Sequence, residues 1–338
     1  MPTAPLHIVL ALAVLSLGAC GSRPAPPAEA APPAEPTAAP VVVPGAAAYP
    51  DAPPPETPPP GGAAEPAVAD TIDAPDPETA AAFRQILDDA RAQGVAARPF
   101  GEVVQWVGEQ LIGRPYVAGM LDAPPEETLV VDLTAFDCVL YVENTLALAR
   151  MVALGEDDYA AYAGHVEAMR YREGRLDGYC SRLHYFSDWI AENERAGRVE
   201  NVTAAVGGER FDKTIAFMTQ NRDAYPKLVS DETFACIVDM EAGLAGVELF
   251  YVPQDRIAEA YPLLRPGDVI ATATSIGGLD VTHTGFVHQT AERTGFMHAS
   301  LSSDRVKISD DLEDYVQGVP NQVGIVVARP VDPRETDS

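Results

Sequence analysis

The chain has 338 residues, with 23 Lys and Arg against 50 Asp and Glu, and a formal net charge of −27. It carries no basic stripe that would displace counterions from phosphates, which excludes nucleic acid as a partner. An acidic surface of this kind serves solubility and identifies no substrate.

Residues 6–18 form an apolar run too short for a comfortable membrane span, ending in Leu17-Gly18-Ala19-Cys20-Gly21-Ser22. Residues 1–20 therefore read as a secretion signal. The ending resembles a bacterial lipoprotein lipobox, in which small residues precede a cysteine that is lipidated and becomes the mature N-terminus. The resemblance implies Cys20 as the lipidation site and a membrane contact through that lipid. Residues 1–7 carry no Lys or Arg, a departure from the usual signal peptide. Ser22 stands where inner-membrane retention typically has an aspartate. By the same resemblance, that implies the periplasmic side of the envelope, anchored in the outer membrane.

Residues 21–77 are almost entirely Ala, Pro, Glu and Gly and hold 18 of the 31 prolines. Such a segment cannot bury enough apolar surface to offset chain entropy, so it reads as a disordered tether. At ~3.1 Å per residue it reaches on the order of 150 Å. Residues 78–331 remain as one well-cored domain, with 332–338 as a tail. No later run is long and apolar enough to span a membrane.

Within the domain, Ala82, Phe83, Ile86, Leu87 and Ala90 recur at helical spacing, which predicts a helix over 78–93 stopped by Gly94. A second helix is predicted over 100–112, ended by Gly113 and Pro115. Residues 129–133, Leu-Val-Val-Asp-Leu, suggest a short strand. Residues 138–154 are apolar nearly all the way round, the mark of a buried helix, with Asp137 as N-cap and Gly155 as stop. Two more helices are predicted over 159–171 and 183–196. From 264 the pattern changes to short strands, over 268–272, 283–289, 296–300, 305–308 and 323–328. Helices first and antiparallel strands later is an α+β arrangement.

The chemistry centres on Phe136-Asp137-Cys138-Val139. A thiol at a helix N-terminus feels the positive end of the helix dipole, which favours thiolate. An imidazole beside it can take its proton and later protonate a leaving amine. Two histidines follow on strands. Alternation puts His283, Gly285 and Val287 on one face and Thr284, Phe286 and His288 on the other, so His283 and His288 cannot share one site. Gly285 leaves room beside His283 for a substrate or the helix end. On the next strand, His298 can aim at the far ring nitrogen of His283 and fix its tautomer and orientation. Cysteine first and histidines later on strands is the layout of a papain-like hydrolase. Cys180 and Cys236 can pair in an oxidising compartment. Free thiols are common in cores, however, and spacing shows no proximity, so two separate thiols is the preferred reading.

Several blocks resemble the NlpC-type cell-wall cysteine peptidases. They are Ile112-Gly113-Arg114-Pro115-Tyr116-Val117-Ala118-Gly119, Pro266-Gly267-Asp268-Val269-Ile270, His283-Thr284-Gly285-Phe286-Val287 and Met297-His298-Ala299-Ser300. Three more are similar to the N-acetylmuramoyl-L-alanine amidase-like branch of that superfamily. These are Phe136 to Val139, the Arg-Leu-His-Tyr-Phe-Ser-Asp-Trp block from Arg182 to Trp189, and Gly278-Leu279-Asp280-Val281. The resemblance implies a papain-like fold, with the thiol helix packed on the sheet that carries the histidines. It implies Cys138 as nucleophile, His283 as base and His298 as orienting residue. It also implies peptidoglycan-derived muropeptides as substrate, cut at the amide between N-acetylmuramic acid and L-alanine.

Such a site holds its oxyanion on the Cys138 backbone N–H and a side-chain donor, for which Tyr116 is a candidate alongside substrate binding. Arg182, His184 and Tyr185 are candidates for reading a carboxylate or sugar, Arg182 because a planar guanidinium suits carboxylates. An ion-paired structural arginine is the other reading of Arg182. Zinc amidases cut the same bond, but the chain has no HxxxH or HExxH pattern and zinc would leave the cysteine without a role, so no metal and no cofactor are expected. An endopeptidase cutting within the stem peptide, or a non-catalytic wall-binding lipoprotein, are the alternatives.

Overall fold

The computed structural model describes residues 75–335. The signal segment, Cys20 and all but the last residues of the tether lie outside the described residues.

Helix α1 (Pro77–Ala92) starts where Asp76 caps it, its carboxylate accepting from Glu78 N at 2.9 Å and Thr79 N at 3.0 Å. Pro77 occupies the first helical position, where no N–H is needed. Helix α2 (Phe100–Gln110) and helix α3 (Cys138–Leu154) follow, and α3 spans the predicted residues. Asp137 caps α3 by accepting from Leu140 N at 2.8 Å, and Gly155 ends it in the left-handed conformation at φ 71°. The predicted strand over 129–133 does not form. Its backbone groups pair with side chains instead: Val130 O accepts from Arg170 Nη1 at 2.6 Å, and Leu133 N donates to Thr79 Oγ1 at 3.2 Å. No strand partner lies alongside, so local β-propensity is overridden.

Helices α4 (Tyr159–Arg170) and α5 (Phe186–Arg195) complete the first helical group. A stretch without a predicted element then supplies strands β1 (Val199–Asn201) and β2 (Glu209–Arg210), helices α6 (Phe217–Gln220) and α7 (Asp231–Leu244), strand β3 (Phe250–Pro253) and helix α8 (Ile257–Ala260). The late strands are β4 (Val269–Thr274), β5 (Val281–Gln289), β6 (Thr294–Ser300), β7 (Arg305–Ser309) and β8 (Gln322–Pro330), with helix α9 (Leu312–Gly318) before the last.

The strands form one antiparallel sheet in the order β2-β3-β8-β4-β5-β6-β7, with β1 also paired to β8. Alternation divides its side chains between two cores. Val269, Ala271, Phe286, Met297 and Ala299 face α1 to α5, with α3 innermost. Ile270, Val287, Phe296, Ile325 and Val327 face α8 and α9. A third cluster packs α7 around Tyr185, Phe217, Met218 and Leu279.

The Pro266-Gly267-Asp268 block is a structural joint. Gly267 takes φ +74°, and its turn lies directly on α2, where a Cβ on Gly101 would sit 2.3 Å from Pro266 O. Asp268 then holds the sheet end through Arg329, whose Nε and Nη2 lie 2.9 and 2.7 Å from its two oxygens. Arg334, within the 332–338 tail, donates to Ala96 O at 2.5 Å and Arg98 O at 3.1 Å. Gly101→Ala is expected to cost about 1–3 kcal/mol, since the obstructing atom is backbone and cannot swing away. A urea titration reads this directly, and an unshifted midpoint would contradict the contact.

Candidate active site

The first turn of α3 points its cysteine at strand β5. Cys138 is 3% exposed, and its sulfur meets the backbone N–H groups of Thr284, Cys138 itself and Val139. At this point the β4–β5 pairing shifts register: Thr272 faces His283, while Ala273 faces Val281. Such a bulge leaves one residue unpaired and re-aims its neighbours. His283 thereby lines the same cavity as Cys138, a space of about 160 Å³. The cavity also meets Asp137, Glu143, Arg170, Tyr179, Arg182 and Asp280.

His283 and His298 are joined as alternation predicts: Nε2 of His283 lies 2.8 Å from Nδ1 of His298. The other ring nitrogen of His298 lies 3.1 Å from Ser309 Oγ. His288 is on the opposite face, paired to Glu109 on α2 at 3.0 Å. The room beside Gly285 is not left for a ligand. A Cβ there would sit 2.8 Å from both His298 Cβ and the Phe296 ring, so the glycine admits these two side chains.

Two electrostatic features oppose the expected thiolate. Burial, with the neighbouring Asp137 carboxylate, pushes the Cys138 thiol up to about 12. Burial holds His283 down, to about 4. Desolvation outweighs the backbone N–H donors around the sulfur, which favours a neutral thiol beside a neutral imidazole. Asp137 is itself pushed up to about 6, by burial and then by the nearby Glu143.

The four substrate-binding candidates are placed differently. Tyr116 is half-buried; its loop pairs with the segment before the cysteine, Val117 N donating to Phe136 O at 3.0 Å. Burial above all, with the Asp137 carboxylate, raises its phenol, so it stays a hydroxyl. Arg182 is 5% exposed and spends its guanidinium on the wall: it donates to Leu121 O at 2.8 Å, pairs with Asp122 and lies 3.6 Å from Glu127. It is thus an ion-paired structural arginine that holds the loop over the cavity. His184 donates Nε2–H to Tyr179 O at 2.9 Å and is kept neutral, at about 3, by burial and by Arg182. Tyr185 donates to Glu241 Oε1 at 2.7 Å and accepts from Met218 N at 2.8 Å. All but Tyr116 line the cavity.

Three further features escape sequence reasoning. Cys180 and Cys236 form a disulfide, with Cα atoms 6.1 Å apart, across 56 residues. The expectation of two separate thiols is therefore wrong: the fold brings α7 against the turn at Tyr179, which no local pattern encodes. Asp280 caps α5, accepting from Ser187 N at 2.7 Å while also holding Val281 N at 2.8 Å. It thus ties two of the singled-out sequence blocks together at the cavity wall. Tyr315, on α9, packs against His298 with ring centroids 4.7 Å apart and lies 6.1 Å from His283.

Fold and cavity together define an amidase-like α+β protein. A family model described as AmiA-like, N-acetylmuramoyl-L-alanine amidase-like, matches residues 106–325. A solved N-acetylmuramoyl-L-alanine amidase from Bacteroides uniformis is 32% identical, with a TM-score of 0.65 over 68% of this chain and 98% of that one. A putative xylanase from Bacteroides fragilis is also 32% identical, with a TM-score of 0.59 over 66% of this chain and 99% of that one. A Legionella pneumophila protein at 19% identity shares the fold, with a TM-score of 0.54 over 75% of this chain and 97% of that one. No curated protein matches the chain. The chain belongs to the AmiA-like, N-acetylmuramoyl-L-alanine amidase-like family.

A neutral resting pair has a direct kinetic signature. With the thiol at about 12, the thiolate fraction of Cys138 grows with every rise in pH below that value. Modification by iodoacetamide, followed by peptide mapping, should therefore accelerate about tenfold per pH unit from roughly pH 7 to 9.5. A rate independent of pH between about 5 and 8 would instead indicate a preformed thiolate–imidazolium pair.

Proposed function

We propose that this protein is a cysteine amidase of the papain-like NlpC type. Its substrates are peptidoglycan-derived muropeptides, and the bond it hydrolyses joins N-acetylmuramic acid to L-alanine. The observation that carries the reading is the shared cavity wall of Cys138 and His283, with His298 2.8 Å behind the imidazole. Membership of the amidase-like family supports the substrate class.

The chemistry follows from the two neutral groups. As the Cys138 sulfur attacks the lactyl carbonyl, its proton passes to Nδ1 of His283, so the barrier is never charged with forming a free thiolate. The carbonyl oxygen becomes an oxyanion, met by the Cys138 backbone N–H, which as a first-turn helix donor has no intrahelical acceptor. The tetrahedral intermediate then breaks its C–N bond. His283 gives the proton to the departing L-alanine nitrogen, and the sugar stays on sulfur as a thioester. Water, deprotonated by His283, releases the sugar acid and restores the thiol. His298 supports the transient positive charge on His283 by accepting from its Nε2–H. The buried Arg170–Glu143 pair at 2.7 Å, with Trp189 Nε1 donating to Glu143 at 3.2 Å, keeps the cavity floor rigid.

The envelope placement is part of the same proposal. Lipid on Cys20 would anchor the chain in the outer membrane on its periplasmic side, and residues 21–77 would give the domain reach. Labelled fatty acid should then enter the wild type and not Cys20→Ala, which should appear in the soluble fraction. Label in Cys20→Ala would remove the anchor from the account.

On a defined muropeptide, the enzyme should release a stem peptide with a free N-terminal L-alanine and a peptide-free sugar. Cys138→Ala and His283→Ala should each lower kcat by at least about 1,000-fold, while His288→Ala should stay near wild type. Mass spectrometry of the products checks the bond. Peptide cleavage with L-alanine still on the sugar would establish an endopeptidase, and activity surviving in Cys138→Ala would remove the cysteine mechanism.

A further inference from the structure

The hydrogen bond between the two histidines has a direction, and that direction decides whether His283 can be a base. A neutral imidazole carries one N–H and one lone pair. If His298 donates Nδ1–H to His283 Nε2, then His283 holds its own proton on Nδ1 and cannot accept another there. If His283 donates Nε2–H to His298 Nδ1, the Nδ1 lone pair of His283 is free. The second arrangement obliges His298 to carry its proton on Nε2, and that N–H must find an acceptor. Ser309 Oγ lies 3.1 Å from it.

We propose that Ser309 is a positioning residue of the reaction. Its hydroxyl oxygen accepts from His298 Nε2–H, which makes Nδ1 of His298 an acceptor and so keeps Nδ1 of His283 open for the thiol proton. The assignment rests on the cysteine–histidine reading above and extends it by one link.

Several observations converge on this link. In the β6–β7 register His298 faces Lys307, so Ser309, two residues on, presents its side chain to the same face. The His298 ring has little freedom to find another partner. It is 1% exposed, stacked on Phe296 at 4.6 Å and 14°, and packed against Tyr315. Burial, His283 and Lys307 all oppose a second proton on His298, holding it at about 2, so it stays singly protonated. A hydroxyl can serve either tautomer of a neutral imidazole, and the need for an open Nδ1 on His283 selects the one in which Ser309 accepts. It accepts from the ring and sends its own proton elsewhere, adding no charge to a buried site.

Histidine 15N chemical shifts in the uniformly labelled protein test the tautomer without any turnover. The wild type should carry the His298 proton on Nε2. Ser309→Ala should show a mixture of tautomers and lose about threefold to tenfold in kcat, the worth of one hydrogen bond, with KM unchanged. Ser309→Thr, which keeps the oxygen, should restore both. A wild-type His298 protonated on Nδ1 would overturn the proposal, as would Ser309→Ala with wild-type kcat and an unchanged spectrum. If Ser309→Ala does not fold, the wild-type spectrum decides alone. An Nε2–H tautomer in a protein that cleaves no muropeptide would leave the Ser309 link standing and remove the amidase reading.

Discussion

The site depends on one junction, the meeting of the first turn of α3 with the bulged start of β5. Helix α3 is buried on nearly every side, so it cannot slide or rotate without opening cavities in the core. That rigidity fixes the sulfur against the Thr284 N–H. The same strand carries His283, and the next carries His298. Asp137, Asp280 and Gly285 each serve this junction from a different direction. The first caps α3, the second caps α5 and holds the start of β5, and the third makes room for His298 and Phe296.

The consequence of so much burial is a dry site, and a dry site disfavours isolated charge. Cys138, His283, His184 and His298 are all held in their neutral forms. The arginines on the walls are compensated: Arg170 with Glu143, and Arg182 with Asp122 and Glu127. In the proposed reaction such a thiol would ionise only together with its attack on a substrate carbonyl. The same desolvation makes fixed donors effective, because their fields are not screened by water. The disulfide between Cys180 and Cys236 serves this enclosure, since it fastens α7 to the turn whose Tyr179 covers His184 and Arg182.

What was legible in the sequence was whatever a local period encodes. Helix α3 stood out because its apolar residues run all round and because Asp137 and Gly155 mark its ends. The faces of β5 and β6 followed from alternation alone, and with them the separation of His283 from His288. The illegible parts depend on contacts between distant segments. Residues 129–133 have strand-like composition and no strand beside them. The choice between the two readings of Arg182 stayed open because its partners Asp122 and Glu127 lie about 60 residues away in sequence. Tyr315 and Ser309 sit on a short helix and at a strand end, with no motif to distinguish them. The helix start at Cys138 is visible in sequence, whereas the depth of burial that raises its thiol is not.

The central claim is that sulfur of Cys138 takes the muramoyl group while the peptide leaves. Rapid acid quenching during turnover of a muropeptide, followed by mass spectrometry of the peptide containing Cys138, tests it most directly. The account predicts a thioester whose added mass is the N-acetylmuramoyl group alone, with no amino acid attached. An adduct carrying L-alanine or more of the stem peptide, or a trapped acyl group on any residue other than Cys138, would contradict it.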